Sequence, residues 1–344
     1  MRAVLRLALL MLIAALTWNV GSLLRELRAE GRPPPTRREA AEPRARSSSA
    51  TRIVVASANI WQGRRKSLDD DLASRDFIAE LARRNHAAYC ARWGLEYHLL
   101  SGQVWKTREA MYKKMPHVLR LLRSGGDFTH VFWMDLDSIF TNFDVSLAEL
   151  ASPRADLVFT GEPGGLLNAG HFLLRNSSWS RRLIERVADA AEDPTRMCGW
   201  AHDQAALTHA LTGGNCSIGA EGVTTAAECA RATALLPADV RAHAACVPQW
   251  RMNSYPAWRM HGASAREFHW RPGHLVFHAP GPPGPVKARL LAAAIDGALD
   301  RAWMARLESN GTAAWGKDAM LAWLRSHATH PLLSANSLRP AAEP

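Results

Sequence analysis

A buried-strand pattern that ends in two carboxylates constrains the fold of this chain more than any other feature. Residues 131–134 are Val-Phe-Trp-Met, and Asp135 and Asp137 follow with a single residue between them. In α/β sheets, ligands bind beyond the carboxyl ends of the strands. Buried carboxylates are costly unless a cation neutralises them, and their oxygens suit hard divalent ions such as Mn²⁺ or Mg²⁺. The pattern therefore predicts an α/β sheet with a metal site at the end of this strand.

Apolar runs and helix-length segments alternate on both sides of the acid pair. Such alternation is typical of an α/β domain with a mostly parallel sheet flanked by helices. Residues 192–260 are predicted to be loop-rich, with one helix at about 203–211. The predicted strands are 52–57, 95–100, 130–134, 157–159 and 168–175, and residues 275–278 are a late apolar segment. The other predicted helices are 71–93, 107–123, 180–191 and 286–299.

The composition indicates a globular protein that does not bind nucleic acid. The chain has 344 residues, 47% of them hydrophobic, which is enough for a sizeable core. Residues 1–52 contain ten arginines and four glutamates, and so supply six of the ten net positive charges. The remaining excess is small and forms no basic stripe, which argues against a DNA or RNA partner and weakly for a nucleotide-phosphate site.

The N-terminus predicts a membrane anchor. Residues 7–24 are mostly apolar and are about long enough to cross a bilayer as a helix, and arginines lie in residues 1–6. We expect an uncleaved signal anchor with a cytoplasmic tail of residues 1–6, which would make this a single-pass type II membrane protein. A cleaved secretory peptide is the alternative, because the small-residue pairs Ala14-Ala15 and Gly21-Ser22 could form a cleavage site.

The rest of the chain divides into three predicted parts. Residues 25–51 are rich in Arg, Pro, Glu and Ser and form a flexible stem, or alternatively a basic tail that binds an anionic partner. Residues 52–325 form the catalytic domain, and residues 326–344 form a C-terminal tail.

Cysteines and sequons fit a lumenal, oxidising compartment. Four of the five cysteines lie between residues 198 and 246, so one or two disulfides are expected there without a readable pairing, and Cys90 is expected to be a buried thiol. Three N-glycosylation sequons begin at Asn176, Asn215 and Asn310.

Six short segments occur in an order that resembles a known family. They are Asn85–Tyr97, Trp133–Ser138, Asn168–Ser180, Asp203-Gln204, Asn253–Tyr255 and His278. Together they resemble the type II membrane glycosyltransferases that include yeast α-galactosyl- and α-mannosyltransferases and plant xyloglucan α-1,6-xylosyltransferases. The resemblance covers about residues 52–295.

The resemblance implies a GT-A fold, in which a Rossmann-like sheet holds Mn²⁺, or alternatively Mg²⁺, and a nucleotide sugar. It implies that Asp135, Asp137 and His278 bind the metal, and that Asp135 also contacts the donor. Asn168, Ala169 and Gly170 would lie near the sugar, and Asp203 and Gln204 would be the catalytic pair. A donor-binding lysine would be Lys113 or Lys114, and Lys287 would contact the diphosphate.

The activity that the resemblance implies is retaining transfer of a hexose or pentose from UDP-xylose, UDP-galactose or GDP-mannose to a glycan hydroxyl. The acceptor would be an oligosaccharide, a polysaccharide or a protein-linked glycan in the Golgi lumen, and the chain could form homo- or hetero-oligomers. Two alternatives share the acid pair. One is a Mg²⁺-dependent phosphatase of the haloacid-dehalogenase type, although that motif usually opens its domain. The other is an inactive, membrane-tethered relative that binds glycans.

Overall fold

The computed structural model describes residues 51–59, 69–100, 114–190, 193–199, 202–256, 267–282, 284–299 and 317–334. The predicted cytoplasmic tail, anchor and stem lie outside the described residues, except for residue 51, and so do Lys113 and Asn310. In the ranges given, no helix combines the length and the apolar character needed to cross a membrane.

A mixed six-stranded sheet forms the centre of the fold. Its strands, in spatial order, are β2 (Glu96–Leu100), β1 (Ile53–Ala58), β3 (His130–Met134), β6 (His171–Arg175), β5 (Leu157–Thr160) and β7 (Ala244–Val247). Strand β1 pairs in parallel with β2 and β3, and β5 pairs in parallel with β7. Strand β6 is antiparallel to both of its neighbours, β3 and β5. A separate two-stranded sheet joins β4 (Ser138–Phe140) to β8 (Val276–His278) in antiparallel register.

Helices cover both faces of the large sheet. They are α1 (Asp69–Trp93), α2 (Lys114–Arg123), α3 (Ser178–Asp189), α4 (His202–Thr212), α5 (Ala226–Leu235), α6 (Ala238–Arg241), α7 (Gly284–Ile295) and α8 (Lys317–Ser326). Every residue of β1 and β3 is buried, as expected for strands covered on two faces. Val54 of β1 packs with the apolar residues of α2 and α3, whereas Val55 packs with Tyr89 of α1. This alternation follows from the two-residue period of a strand.

The sequence predictions for the fold are largely confirmed. The α/β class, the predominance of parallel pairing and the strand that leads to the acids are all as expected. Strand β7 and helix α5 lie in the segment that was predicted to be loop-rich. Two disulfides, Cys198–Cys216 and Cys229–Cys246, stabilise this segment, and Cys90 is a buried free thiol.

Packing also involves the end of the described chain. Leu333, within the predicted C-terminal tail, is buried in the cluster formed by α1, α7 and α8. The Asn85 side chain of α1 donates to the backbone oxygens of Phe140 (2.9 Å) and Leu332 (3.0 Å) and accepts from the Phe140 amide (2.7 Å). This buried amide therefore joins helix α1, strand β4 and the segment after α8.

Candidate active site

The acid pair lies where the two sheets meet. Strand β3 ends at Met134, so that Asp135 and Asp137 follow its carboxyl end and precede β4. Strand β8 places His278 opposite Ser138 of β4, and His278 Nε2 lies 3.2 Å from Asp137 Oδ1. One ligand atom from each of Asp135, Asp137 and His278 lies within 4.8 Å of the others. The structure therefore brings together the three residues that the sequence predicted as metal ligands.

Gly170 keeps the space between these ligands open. A Cβ atom at this position would lie 2.7 Å from His278 Cε1, 2.7 Å from Asn168 Oδ1 and 3.3 Å from Asp135 Oδ2. The Gly170 carbonyl also accepts the Asp135 amide at 3.0 Å. A larger residue would have to displace a ligand, so glycine is required here for its size and not for an unusual backbone conformation.

Lys287 and His278 both contact the Asp137 carboxylate. Lys287 Nζ of helix α7 lies 2.5 Å from Asp137 Oδ2, and His278 contacts the other oxygen. Burial opposes ionisation of this carboxyl group, but Lys287 and His278 outweigh it and hold the pKa of Asp137 well below its usual range. Asp137 is therefore a carboxylate at neutral pH, as a metal ligand must be.

Lys114 connects the acid pair to helix α4. Its Nζ lies 2.7 Å from Asp203 Oδ2, 3.3 Å from Asp135 Oδ1 and 3.0 Å from the Ala169 carbonyl. Burial alone would lower the pKa of Lys114, but Asp135 and Asp203 raise it above its ordinary value, so the ammonium group is retained. Burial raises the pKa of Asp203 despite Lys114. Of the two lysines that the sequence left open, Lys114 lies in the site, and Lys113 lies outside the described residues.

A second set of contacts orients the ligands. Asn253 Oδ1 lies 2.7 Å from His278 Nδ1, and an amide oxygen can only accept, so the Nδ1–H form leaves Nε2 available to bind a cation. His171 Nε2 lies 3.0 Å from Ser138 Oγ, and burial lowers the pKa of His171 well below its usual value.

Trp133 Nε1 donates to Asp135 Oδ1 at 2.7 Å. These contacts leave Asp135 Oδ2 as the oxygen nearest the open space beside Gly170.

Side-chain amides form the other end of the site. Gln204 Oε1 accepts from the Ala169 amide (3.1 Å) and from Asn168 Nδ2 (3.3 Å), and Asn168 Oδ1 accepts from the Gly170 amide (2.9 Å). Gln204 Nε2 donates to Glu162 Oε1 at 2.5 Å. The predicted sugar-site residues Asn168, Ala169, Gly170 and Gln204 are therefore in mutual contact.

Glu162 is the residue of this site that the sequence did not reveal. It lies in the turn after β5, in a Gly- and Pro-rich segment that matches none of the quoted motifs. Its closeness to Asn168 along the chain is the one signal that could have found it. The two sequon asparagines that are described lie elsewhere: Asn176 is partly buried after β6, and Asn215 is exposed beside the Cys198–Cys216 disulfide.

The donor set fits a hard divalent cation. Two carboxylates and an imidazole suit Mn²⁺, with Mg²⁺ as the alternative, and the Asn253 contact fixes the imidazole in the form that binds metal. Lys114 and Lys287 lie next to the acids, so an anionic diphosphate at this edge would meet positive charge. The arrangement can hold a metal and a diphosphate at one end and a polar, uncharged group at the amide end.

Comparison with known proteins shows similarity to one family over part of the chain. Residues 66–157, which include the acid pair, match the model of the galactosyl transferase GMA12/MNN10 family. The chain is 31% identical over 154 residues to "Probable glycosyltransferase 3" of Oryza sativa subsp. indica, covering 42% of this chain and 32% of that protein. It is 31% identical over 113 residues to "Probable xyloglucan 6-xylosyltransferase 5" of Arabidopsis thaliana, covering 30% of this chain and 25% of that protein. The aligned part of this chain thus spans about a third or less of these relatives' length.

Solved structures show more distant likeness. A glycosyltransferase involved in the glycosylation of the major capsid of PBCV-1 aligns with a TM-score of 0.46 and 13% identity, over 70% of this chain and 98% of that one. The galactosyltransferase LgtC, solved with donor and acceptor sugar analogs, aligns with a TM-score of 0.42 and 14% identity, over 84% and 98% of the respective chains. The family resemblance rests on sequence instead: residues 66–157 are similar to the galactosyl transferase GMA12/MNN10 family.

Proposed function

We propose that this protein is a metal-dependent glycosyltransferase of GT-A type that moves a sugar from a nucleotide sugar to a hydroxyl of a glycan. The observation that carries the proposal is the convergence of Asp135, Asp137 and His278 beside Lys114 and the amide cluster. The match of residues 66–157 to the galactosyl transferase GMA12/MNN10 family supports glycosyl transfer as the reaction class. The proposed donors are UDP-xylose, UDP-galactose and GDP-mannose.

The metal end of the site would bind the donor's diphosphate. Asp135, Asp137 and His278 would hold Mn²⁺, or Mg²⁺ in its place, and the bound ion would supply positive charge as the nucleoside diphosphate departs. Lys287 contacts Asp137 from the first turn of α7 and is placed to move onto a diphosphate oxygen when a cation takes over that carboxylate. Trp133 and Lys114 hold Asp135 Oδ1, which leaves its second oxygen for the cation or the donor.

The amide end would bind the sugar. Asn168 and Gln204 present hydrogen-bonding groups to hydroxyls, and Ala169 and Gly170 leave room for the ring. Asp203 is 2% exposed and its carboxylate contacts Lys114, so it would act by holding that ammonium group at the reacting centre. We expect the transfer to retain anomeric configuration, through front-face attack in which the departing diphosphate helps to deprotonate the acceptor hydroxyl.

The cellular setting is part of the proposal. The apolar run at residues 7–24 would anchor the chain in the Golgi membrane as a single-pass type II protein with a lumenal catalytic domain. The two intradomain disulfides suit an oxidising compartment. The proposed acceptor is an oligosaccharide, a polysaccharide or a protein-linked glycan. The chain is also proposed to form homo- or hetero-oligomers.

The two rival functions gain less support. A phosphatase of the haloacid-dehalogenase type would use the first acid as a nucleophile, whereas Asp135 Oδ1 is already held by Trp133 and Lys114. The amide cluster would have no role in that chemistry. An inactive glycan-binding relative would have no need for the hydrogen bond by which Asn253 orients His278, yet that bond is present.

The test is a donor panel on the 344-residue chain purified in detergent. UDP-xylose, UDP-galactose and GDP-mannose are incubated with and without Mn²⁺, and nucleotide release is measured. The proposal predicts release from at least one donor in the presence of Mn²⁺, with a product of unchanged anomeric configuration by NMR. Absence of release from every donor, with and without candidate glycan acceptors, would contradict it.

A further inference from the structure

Three hydrogen-bond donors converge on the carboxylate of Glu162. Gln204 Nε2 donates to Oε1 at 2.5 Å, and Asn168 Nδ2 and the Tyr255 hydroxyl donate to Oε2 at 3.0 and 3.3 Å. The two lysines of the site pair with other acids, so neutral donors hold Glu162. A carboxylate accepts without donating, and it can therefore satisfy all three donors at once.

Backbone contacts determine how the two amides must point. The Ala169 amide donates to Gln204 Oε1, and the Gly170 amide donates to Asn168 Oδ1. Because a backbone N–H can only donate, the oxygen of each side-chain amide must face the backbone and its NH₂ group must face Glu162. If either amide turned over, its NH₂ group would face a backbone N–H and its oxygen would face the Glu162 carboxylate. The orientation of both side-chain amides is therefore fixed.

The turn that carries Glu162 is held by close backbone packing. A Cβ atom at Gly161 would lie 2.0 Å from the Val223 carbonyl, and one at Gly222, where φ is 101°, would lie 2.3 Å from the Pro163 carbonyl. The Val223 amide donates to the Glu162 carbonyl at 3.0 Å. These glycines let the two segments touch, and the contact fixes the backbone of Glu162 beneath the amides.

Tyr255 links this cluster to the metal end. Its ring packs edge-on against His278, with ring centroids 5.6 Å apart, and its hydroxyl reaches Glu162. Burial, with a smaller effect from Glu162, raises the pKa of Tyr255 well above its ordinary value, so the hydroxyl keeps its proton and remains a donor.

We propose that Glu162 is a positioning residue for the sugar end of the site. By accepting from Gln204 and Asn168 it fixes which hydrogen-bonding groups these amides present to the donor's sugar, and it does not itself bind the nucleotide or the metal. The inference rests on the proposed function and assigns this part of it to a residue outside the recognised motifs.

The sharpest test is Glu162→Gln, which keeps the size of the side chain but replaces one acceptor oxygen by a donor. At least one of the three donors then faces an NH₂ group. We expect kcat for nucleotide release from the donor that the wild type uses to fall by about 100-fold, as for a small misplacement of a catalytic group. The Kd for UDP or GDP with Mn²⁺ should change by less than about 3-fold, because the metal end is intact.

Two further variants separate positioning from general damage. The exchange Glu162→Gln with Gln204→Glu restores a matched set of donors and acceptors. The new carboxylate at position 204 would accept from the Ala169 amide and from the new side-chain amide at position 162. We expect this exchange to regain at least about 10-fold of the lost kcat. The matched control is Glu185→Gln on the surface of α3, where the acid pairs with exposed Arg123, and it should behave as wild type.

Each outcome decides one question. A kcat for Glu162→Gln within about 3-fold of wild type, or an equal loss of nucleoside diphosphate affinity, would overturn the positioning role. If Glu162→Gln shows no cooperative thermal transition and is therefore unfolded, the kcat of the exchanged variant is compared with that of the wild type instead. A folded exchanged variant with a kcat at least about 1000-fold below wild type would also overturn it. A wild type that binds neither donor nor nucleotide would contradict the proposed function, not this inference.

Discussion

His278 Nε2 lies 3.2 Å from Asp137 Oδ1, although 141 residues separate the two in the chain. The register of β4 with β8 creates this contact, because Ser138, the neighbour of Asp137, pairs with His278. The second sheet has only two strands, yet it completes the candidate metal site on which the proposed function depends. Changes that disturb the β4–β8 pairing should therefore affect cation binding before they affect the large sheet.

Gly170→Ala should weaken metal binding. The new methyl group would lie 2.7 Å from both His278 Cε1 and Asn168 Oδ1, so a ligand or a sugar-site amide must move. We expect Mn²⁺ affinity, measured by electron paramagnetic resonance titration, to fall by about 10- to 100-fold. Gly164→Ala is the matched control, because no atom lies within 4 Å of its added Cβ. Equal Mn²⁺ affinity in the two variants would show that Gly170 does not keep the ligand space open.

Lys114→Met should destabilise the fold. It leaves Asp203, 2% exposed, without its cation, and removing one partner of a buried pair costs about 3–5 kcal/mol. Replacing both residues, as Lys114→Met with Asp203→Leu, should restore much of the free energy of unfolding but not nucleotide release. Exposed Lys317→Met is the control. Chemical denaturation measures all four proteins, and a loss below about 1 kcal/mol for Lys114→Met would contradict a buried ion pair.

Thiol labelling should distinguish three states of the protein. In the native state we expect no label, because Cys90 is 2% exposed and burial raises the pKa of its thiol. Unfolding without reductant should expose one thiol, and unfolding with reductant should expose all five. Mass spectrometry of unreduced peptides should show the Cys198–Cys216 and Cys229–Cys246 pairs. Any native labelling, or another pairing, would contradict this account.

Acid should destabilise the protein through buried His86. Burial lowers the pKa of His86 from 6.5 to about 4. The unfolded state therefore binds more protons between these values, and stability falls as pH drops below about 6.5 and continues to fall until the folded-state pKa near 4. The loss from this residue between pH 7 and pH 4 is about 3 kcal/mol.

His86→Gln tests this directly. The variant cannot titrate at this position, so its free energy of unfolding should fall less steeply with acid than that of the wild type, by about the same 3 kcal/mol. His117 and His130, whose pKa values burial also lowers to about 4, are present in both proteins and cancel. Exposed Ala227→Gln, which changes no titratable group, serves as the control and should keep the wild-type slope. Parallel curves for wild type and His86→Gln would refute the prediction.

Most of the strands and helices could be predicted because their apolar residues form runs or recur with a regular period, but the three-residue strand β4 was not predicted. Strand β7 could not be predicted either, because Ala244–Val247 is short, only partly buried and preceded by helical turns. The antiparallel direction of β6 was also unpredictable, since an apolar run has no direction. Its reversal depends on the connection after β5, which is a turn where a parallel sheet would need a crossover.

The site residues that lie in the quoted motifs could be predicted from the sequence. The acid pair could be found because it interrupts an apolar run, whereas Gly170 and His278 could be found because their segments resemble motifs of the family. The burial of Lys114 required the helical phase: it is four residues before Val118 and seven before Leu121, on the buried face of α2. Glu162 could not be found, because it is a single acid in a Gly- and Pro-rich turn. Its contacts come partly from Tyr255, which lies 93 residues away in the chain.

The most direct measurement of the central claim compares Asp137→Asn with Asp144→Asn in Mn²⁺-dependent nucleotide release from the donor that the wild type uses. Asp137 is a candidate metal ligand, whereas the Asp144 side chain is 89% exposed in the segment after β4. The account predicts a loss of about 100-fold or more for Asp137→Asn, as expected when electrostatic stabilisation of the departing group is removed, and wild-type release for Asp144→Asn. Full release by a folded Asp137→Asn would contradict it.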